Sequence, residues 1–243
     1  MSCADRSDSA LMAAESEADG IAAHSDLRLL LDTRHSCRAF GPAPVPRGTI
    51  EQILALAQCT PSWCNTQPWQ VSITEGDATD RLRAGIAEHV RSQPQEPDFA
   101  LPSEYRGVYR ARRKECALQL YSSLGIADGD RQASAAQTMK NFALFGAPHL
   151  AVITSDDALG VYGAVDCGLY VNTFLLAAHS LGVATIPQAA LAGSAPFLRR
   201  FLGLGDDRRI VCTIAFGYAD VDHPANAFRT TRADTGTVVD WVS

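Results

Sequence analysis

A chain of 243 residues, 47% hydrophobic and 20% charged, can bury one substantial core, and its length does not demand two domains. A net charge of −6 argues against a general nucleic-acid binder or a membrane-surface protein, both of which want a basic face, so any anionic ligand needs a local cluster of arginines. The seven cysteines are scattered without a C-x-x-C pair and the six histidines lack H-x-x-x-H spacing, which argues against a disulfide framework or a metal centre and suits reduced thiols in a cytoplasmic protein.

Residues 1–24 are rich in Ala, Ser, Asp and Glu and lack a basic start leading into an apolar run. They read as a flexible tail rather than a secretory signal, leaving one domain over residues 25–243. Ser25 is placed to cap a first helix with Leu27, Leu30 and Leu31 on one face, running into Arg34-His35-Ser36-Cys37-Arg38. After a break at Gly41–Pro46, Thr49 and Gln52 suggest a capping box for a second helix with Ile50, Ile53, Leu54 and Ala57 on one face, ended by Pro61. A polar loop, Ser62 to Pro68, leads into an alternating strand around Trp69, Val71 and Ile73. Asp77 starts a helix bearing Leu82, Ile86 and Val90, and the proline-rich stretch Ser92 to Ser103 reads as a loop and lid. Helices are expected over Glu104–Leu124 and Asp130–Phe145, then a strand over His149–Thr154. Gly163 to Leu181 is the most apolar stretch, but Asp166, Asn172 and His179 interrupt it, so it suits a buried helix better than a membrane span. Gly182 ends that helix, Val183–Ile186 forms a short strand before Pro187, Ser194 caps a small helix, and Arg209–Gly217 is a core strand. Tyr218 to Ser243 looks like an irregular arm ending on Val238, Val239 and Trp241. Strands and helices mix without β-α-β alternation, which favours an α+β domain.

Gly203-Leu204-Gly205 lacks a third glycine and follows a helix, so it is no dinucleotide fingerprint, and Walker and G-x-S-x-G motifs are absent. Three separated segments remain. In Arg34-His35-Ser36-x-Arg38-x-Phe40, two arginines four residues apart on a helical turn, with Ser36 between, can grip a phosphate. The same residues also read as a solvated basic turn answering a helix dipole. Pro61-Ser62-Trp63-Cys64-Asn65-Thr66-Gln67-Pro68-Trp69 gathers hydroxyls and amides suited to a heterocycle edge, or to a plain turn between helix and strand. The third is Ile186-Pro187-Gln188-Ala189-Ala190, with Arg229 and Arg232 following in the arm.

Together these segments resemble the nitroreductase family. The family's R-[RH]-S-x-R-x-F pattern is matched by Arg34 to Phe40 and its P-S-x-x-N-x-Q-P-W loop by Pro61 to Trp69. F-x-x-F-G-A-P-H is approximated by Phe142 to His149, the glycine-ended helix and Pro-Gln turn by Leu181 to Gln188, and the late G-Y by Gly217-Tyr218. The resemblance spans roughly Asp26 to Val242, and within the family it looks most like the reductases of 4-nitrobenzoate and of benzothiazinones.

The resemblance implies an α+β sandwich acting as an intertwined homodimer, with FMN at the subunit interface. NADH or NADPH is the implied electron donor, and nitroaromatic compounds are the acceptors in a ping-pong reduction. By the same resemblance Arg34, His35, Ser36 and Arg232 hold the phosphate and ribityl end, with Arg38 and Arg229 among the further cofactor contacts. Ser62, Asn65 and Gln67 come from the other chain, with Pro61 and Trp63 of the same loop among the cofactor contacts; Pro187, Gln188 and Ala189 lie along the isoalloxazine, and Asn141 or Lys140 approaches its pyrimidine side. No side chain is nominated as general acid; His149 and His179 read as satisfied core histidines. Trp63 has two readings, a wall of the substrate pocket or a residue of the dimer interface. Reduction of quinones, enoates or halogenated phenols on the same fold stays open, as does a non-catalytic flavin-binding dimer.

Overall fold

The computed structural model describes residues 22–243; the expected tail over residues 1–24 lies almost wholly outside them. Four strands carry the core: β1 (Gln70–Thr74), β2 (His149–Asp156), β3 (Ala184–Gln188) and β4 (Arg208–Gly217). They form an antiparallel sheet in the order β1-β2-β4-β3. Seven helices surround it among the described residues: α1 (22–33), α2 (Arg47–Ala57), α3 (Asp77–Ser92), α4 (Gly107–Ser123), α5 (Arg131–Met139), α6 (Gly160–Ser180) and α7 (Ala195–Leu202).

The central strands are buried on both faces, so their side chains alternate between two cores. Ala151, Ile153, Ile214 and Phe216 face α2 and α6, where Ile50, Ile53, Tyr170 and Phe174 meet them. Leu150, Val152, Ile210 and Ala215 point the other way, toward Leu82 and Ile86 of α3 and Leu198 of α7. The helical periodicity of α2 and α3 therefore reports burial correctly. Gly163 packs α6 onto β2 so closely that a Cβ there would stand 2.3 Å from the Ser155 hydroxyl.

Several local expectations are corrected. Ser25 lies inside α1, which is already helical at residue 22, so it is not the cap. Pro46 is the N-cap of α2 and no side chain caps that end, so Thr49 and Gln52 form no capping box. Helix α2 stops at Ala57, before Pro61. Asp130 is the N-cap of α5, its side chain accepting from the Ala133 amide, and α5 ends at Met139 rather than at Phe145. Leu144 and Phe145 then take left-handed backbone at φ 56° and 53°, which a continuing helix forbids. Pro187 lies within β3 rather than after it; β3 is an edge strand, where the missing N–H costs no ladder bond. Ser194 occupies the N-cap of α7 without a side-chain hydrogen bond. Gly182 holds φ +73° after α6, as expected of a residue following a helix.

Helix α6 is long and apolar enough to cross a membrane by length and composition, yet one of its faces packs on the sheet. The buried-helix expectation holds for that face alone, since Val161, Tyr162, Val165 and Leu169 remain 66, 59, 54 and 47% exposed.

His149 is a satisfied core histidine. The Val45 amide donates to its Nε2 (3.0 Å) and Nδ1 lies 3.3 Å from the Thr74 carbonyl, which defines a neutral Nδ1–H ring. Burial pushes its pKa below the ordinary 6.5. The unfolded chain therefore takes up this proton more readily, so the stability is fully present above about pH 6.5 and is lost as pH falls through the depressed value. Urea midpoints followed from about pH 8 to pH 5 should fall, and H149Q should lose part of that slope; an unchanged slope refutes the assignment. His179 corrects the same expectation: it is half-buried, with Nε2 2.7 Å from the Thr33 hydroxyl at the seam with α1.

Candidate functional site

Arg34 to Phe40 is not a helical turn. Helix α1 ends at residue 33, and the chain then runs extended along the sheet, with Ser36 bridging Thr185 of β3 and Phe40 bridging Ala219 beyond β4. Extended backbone alternates its side chains with period two. Cys37 and Ala39 are accordingly buried, while Arg34, Ser36 and Arg38 line one cleft on the other side. The two arginines share a face, but through strand geometry rather than helical spacing.

The C-terminal arm completes this cleft. Asn226, which belongs to none of the three motif segments, accepts from the Arg38 amide (2.7 Å) and donates to the Ala39 and Asp220 carbonyls at 2.9 and 2.8 Å. That staple places Phe228 under Arg38, whose guanidinium carbon stands 5.4 Å from the ring centroid. It also brings Arg229 and Arg232 to the same cleft of about 330 Å³, which His35 joins. Among the described residues no carboxylate is paired with Arg34, Arg38, Arg229 or Arg232; Asp32 at the rim is held by Arg28. Burial, with Arg232 close by, lowers the Arg34 pKa. Burial lowers that of His35 too; the Thr33 carbonyl opposes this, while Arg229, Arg34 and Arg38 add to it. Four crowded cations without a counter-ion make a place that an anion would relieve.

Ser36 and Arg38 also line a larger cavity, about 850 Å³, whose lining continues through Pro187 and Gln188 at the end of β3, Ala189 just beyond it, and Asn141 after α5. The Gln188 amide donates to the Asn141 carbonyl (3.0 Å) and side-chain oxygen (3.2 Å), which leaves its own Oε1 buried without a partner. Gln137, also on the wall and only 5% exposed, keeps an unpartnered Nε2. Buried polar atoms are rarely left unpaired. One acceptor and one donor orphaned on a wall that continues into a cation-lined cleft fit a flat heterocycle bearing both kinds of edge group and a phosphate tail.

The Pro61–Trp69 segment stands apart. Pro61 to Gln67 lines neither cavity. Its backbone is left-handed at Cys64, Asn65 and Gln67 (φ 52°, 57° and 47°), a conformation costing about 1–2 kcal/mol at residues other than glycine and asparagine. The Ser62 hydroxyl accepts from the Gln67 amide (2.9 Å), and the Gln67 side chain reaches Gln58 and Asn65. Trp63 donates its amide to Asp166 of α6 and sets its ring edge-on to Tyr162, centroids 4.7 Å apart. Trp63 therefore continues the exposed stripe of α6, with 60% of its own surface open.

The larger cavity has a roof that lies outside all three motif segments. Tyr105 and one face of α4 (Arg110, Arg113, Lys114, Leu118 and Tyr121) close it from above. The signal was legible, since Arg110, Arg113 and Lys114 recur at i, i+3 and i+4.

A family model described as "Nitroreductase family" matches residues 31–218. The 4-nitrobenzoate reductase of Pseudomonas putida is 34% identical over 209 residues, covering 85% of this chain and 91% of that protein. Among solved structures, the FMN-dependent nitroreductase NfnB from Mycobacterium smegmatis in complex with NADPH superposes with a TM-score of 0.86 at 31% identity, covering 90% of this chain and 99% of that one. The FMN and NADPH-dependent nitroreductase NfnB from sphigopyxis sp. strain HMH gives 0.85 at 30%, over 89% and 98%.

Proposed function

Starting from a chain that belongs to the nitroreductase family, we propose that it is an FMN-dependent oxidoreductase passing electrons from NADH or NADPH to nitroaromatic compounds. The observation that carries the reading is the convergence of Arg34, Arg38, Arg229 and Arg232, unpaired among the described residues, at one end of a cavity walled by Gln188 and Asn141. Bound FMN would supply the two-electron chemistry that links the nucleotide to the nitro group. The chain's own residues bind and orient. The four arginines, with Ser36 and His35, hold the phosphate and ribityl end by charge-assisted bonds. Gln188 and Asn141, one side chain fastened to the other, and Gln137 beside them offer fixed amide groups to the ring edge. Pro187 and Ala189 carry the backbone along it. Preorganised amides and nearby cations favour a ring that gains negative charge on reduction.

The working unit in this reading is a homodimer in the cytoplasm. Its support is the open apolar stripe of α6 with Trp63, together with Leu27, Leu29 and Leu31 of α1 at 51, 61 and 51% exposure; a stripe of this kind marks an interaction surface. Pro61, Ser62, Trp63, Asn65 and Gln67 lie away from the arginines of their own chain, as residues serving a partner's site would. Trp63 belongs to the interface on this account.

Purified protein should be yellow, release FMN rather than FAD on heating, and oxidise NADH or NADPH faster when a nitroaromatic acceptor is present. Quinone, enoate and halophenol acceptors in the same assay distinguish other reductions. A colourless protein that refuses added FMN would end the reading.

A further inference from the structure

The three cations of the α4 roof carry a charge pattern that the helix itself does not need. Arg110, Arg113 and Lys114 sit at i, i+3 and i+4 and all line the 850 Å³ cavity. Like charges at those spacings destabilise a helix. None is paired with a carboxylate among the described residues. The one acid of α4, Glu115, is engaged elsewhere by Gln119 and Thr231. In a chain of net charge −6, such a group is a local feature rather than a general basic face; the fourth cation of α4, Arg112, turns instead to a separate cavity beside Arg232. These cations are separate from the phosphate cleft, whose lining includes none of them. Aromatic rings accompany them: the Arg113 guanidinium lies 5.0 Å from the Tyr105 centroid, and Tyr121 lines the same cavity.

We propose that the Arg110–Arg113–Lys114 face of α4 is an oxyanion-recognition site for the reactant that enters the larger cavity, an aromatic ring or nucleotide carrying a carboxylate or phosphate. The proposal rests on the flavin reductase reading and names the charge class of its reactant. Two sources supply such a group: a carboxylate on the nitroaromatic acceptor, and a phosphate of the nucleotide donor. The roof cations select by charge and hold the reactant's far end while Tyr105 and Tyr121 offer ring faces.

The test is the triple variant Arg110→Gln, Arg113→Gln, Lys114→Gln, in which glutamine keeps helix propensity and removes charge. Steady-state kinetics would pair NADH or NADPH with 4-nitrobenzoate or nitrobenzene. The KM for the oxyanion-bearing reactant should rise roughly tenfold or more, while the KM for nitrobenzene, which carries no oxyanion beyond its nitro group, changes far less. A rise confined to 4-nitrobenzoate places the acceptor's carboxylate on the roof. One confined to NADPH places its extra phosphate there, and one common to both nucleotides places their shared pyrophosphate there. Four unchanged KM values overturn the proposal. Should the variant misfold, the parent decides by ionic strength: added salt must weaken saturation by the nitrobenzoate relative to nitrobenzene, or weaken saturation by the nucleotides, and insensitivity of all four overturns the site. A parent that binds FMN yet reduces neither acceptor fails the reductase reading itself and takes this one with it.

Discussion

Arg34→Ala/Arg232→Ala should lose FMN during purification while retaining its fold. Each charge-assisted contact to a phosphate contributes about 1.5–3 kcal/mol, or roughly ten- to a hundredfold in affinity. Two such losses weaken binding by about two to four orders of magnitude if they add. Riboflavin is the control, because it carries the ring and ribityl chain without the phosphate. Fluorescence titrations should show the variant losing its preference for FMN over riboflavin, with riboflavin affinity little changed. The apoprotein offers a second readout. Burial and the neighbouring Arg232 already disfavour the charged form of Arg34, so removing both cations should not lower the apoprotein's melting temperature. Equal losses for FMN and riboflavin, or no loss for either, would contradict a phosphate site here.

A mixture of two dead variants should recover activity. Arg34→Ala damages the cleft that a chain builds from its own residues, whereas Asn65→Ala damages the loop that lines neither cavity of its own chain. If that loop completes the partner's site, a heterodimer carries both lesions in one pocket and leaves the other intact. After unfolding and co-refolding at equal ratio, about half the dimers should be mixed by random pairing, each with one working site, so activity approaches a quarter of the parent's. Recovery should depend on subunit exchange and be missing when the folded homodimers are only briefly mixed. Sites built from one chain each would leave the mixture as inactive as its components, and the shared-site reading would fail.

These two experiments probe opposite ends of what the sequence could convey. The apolar faces of α2 and α3 are local signals: they depend on residues within a turn or two of one another, and the chain folds as they indicate. The motif segments were equally visible, and they carried the family. Their geometry was not. Arg34 and Arg38 share a face because residues 36–40 bridge to residue 185 and residue 219, pairings that no short-range pattern announces. Arg229 and Arg232 reach the same cleft because Asn226 is stapled to a segment 188 residues away.

Burial divided in the same manner. The apolar run of α6 announces a helix, but a run apolar on nearly all sides does not say which face meets the sheet. Only packing against the sheet and α2 buried Cys167 and Phe174 and left Tyr162 and Val165 open. Likewise the basic run of α4 was legible as charge, yet its place above the cavity follows from the path of the loop before it. Asp98 in that loop is anchored by Arg199 and the Ile210 amide at 2.7 Å each. Sequence by itself determined the family and the helices with one clear apolar face, because these rest on ordered motifs and short spacing. Tertiary structure decided which segments meet and which faces stay open, because those depend on strand pairing and packing between residues far apart in the chain.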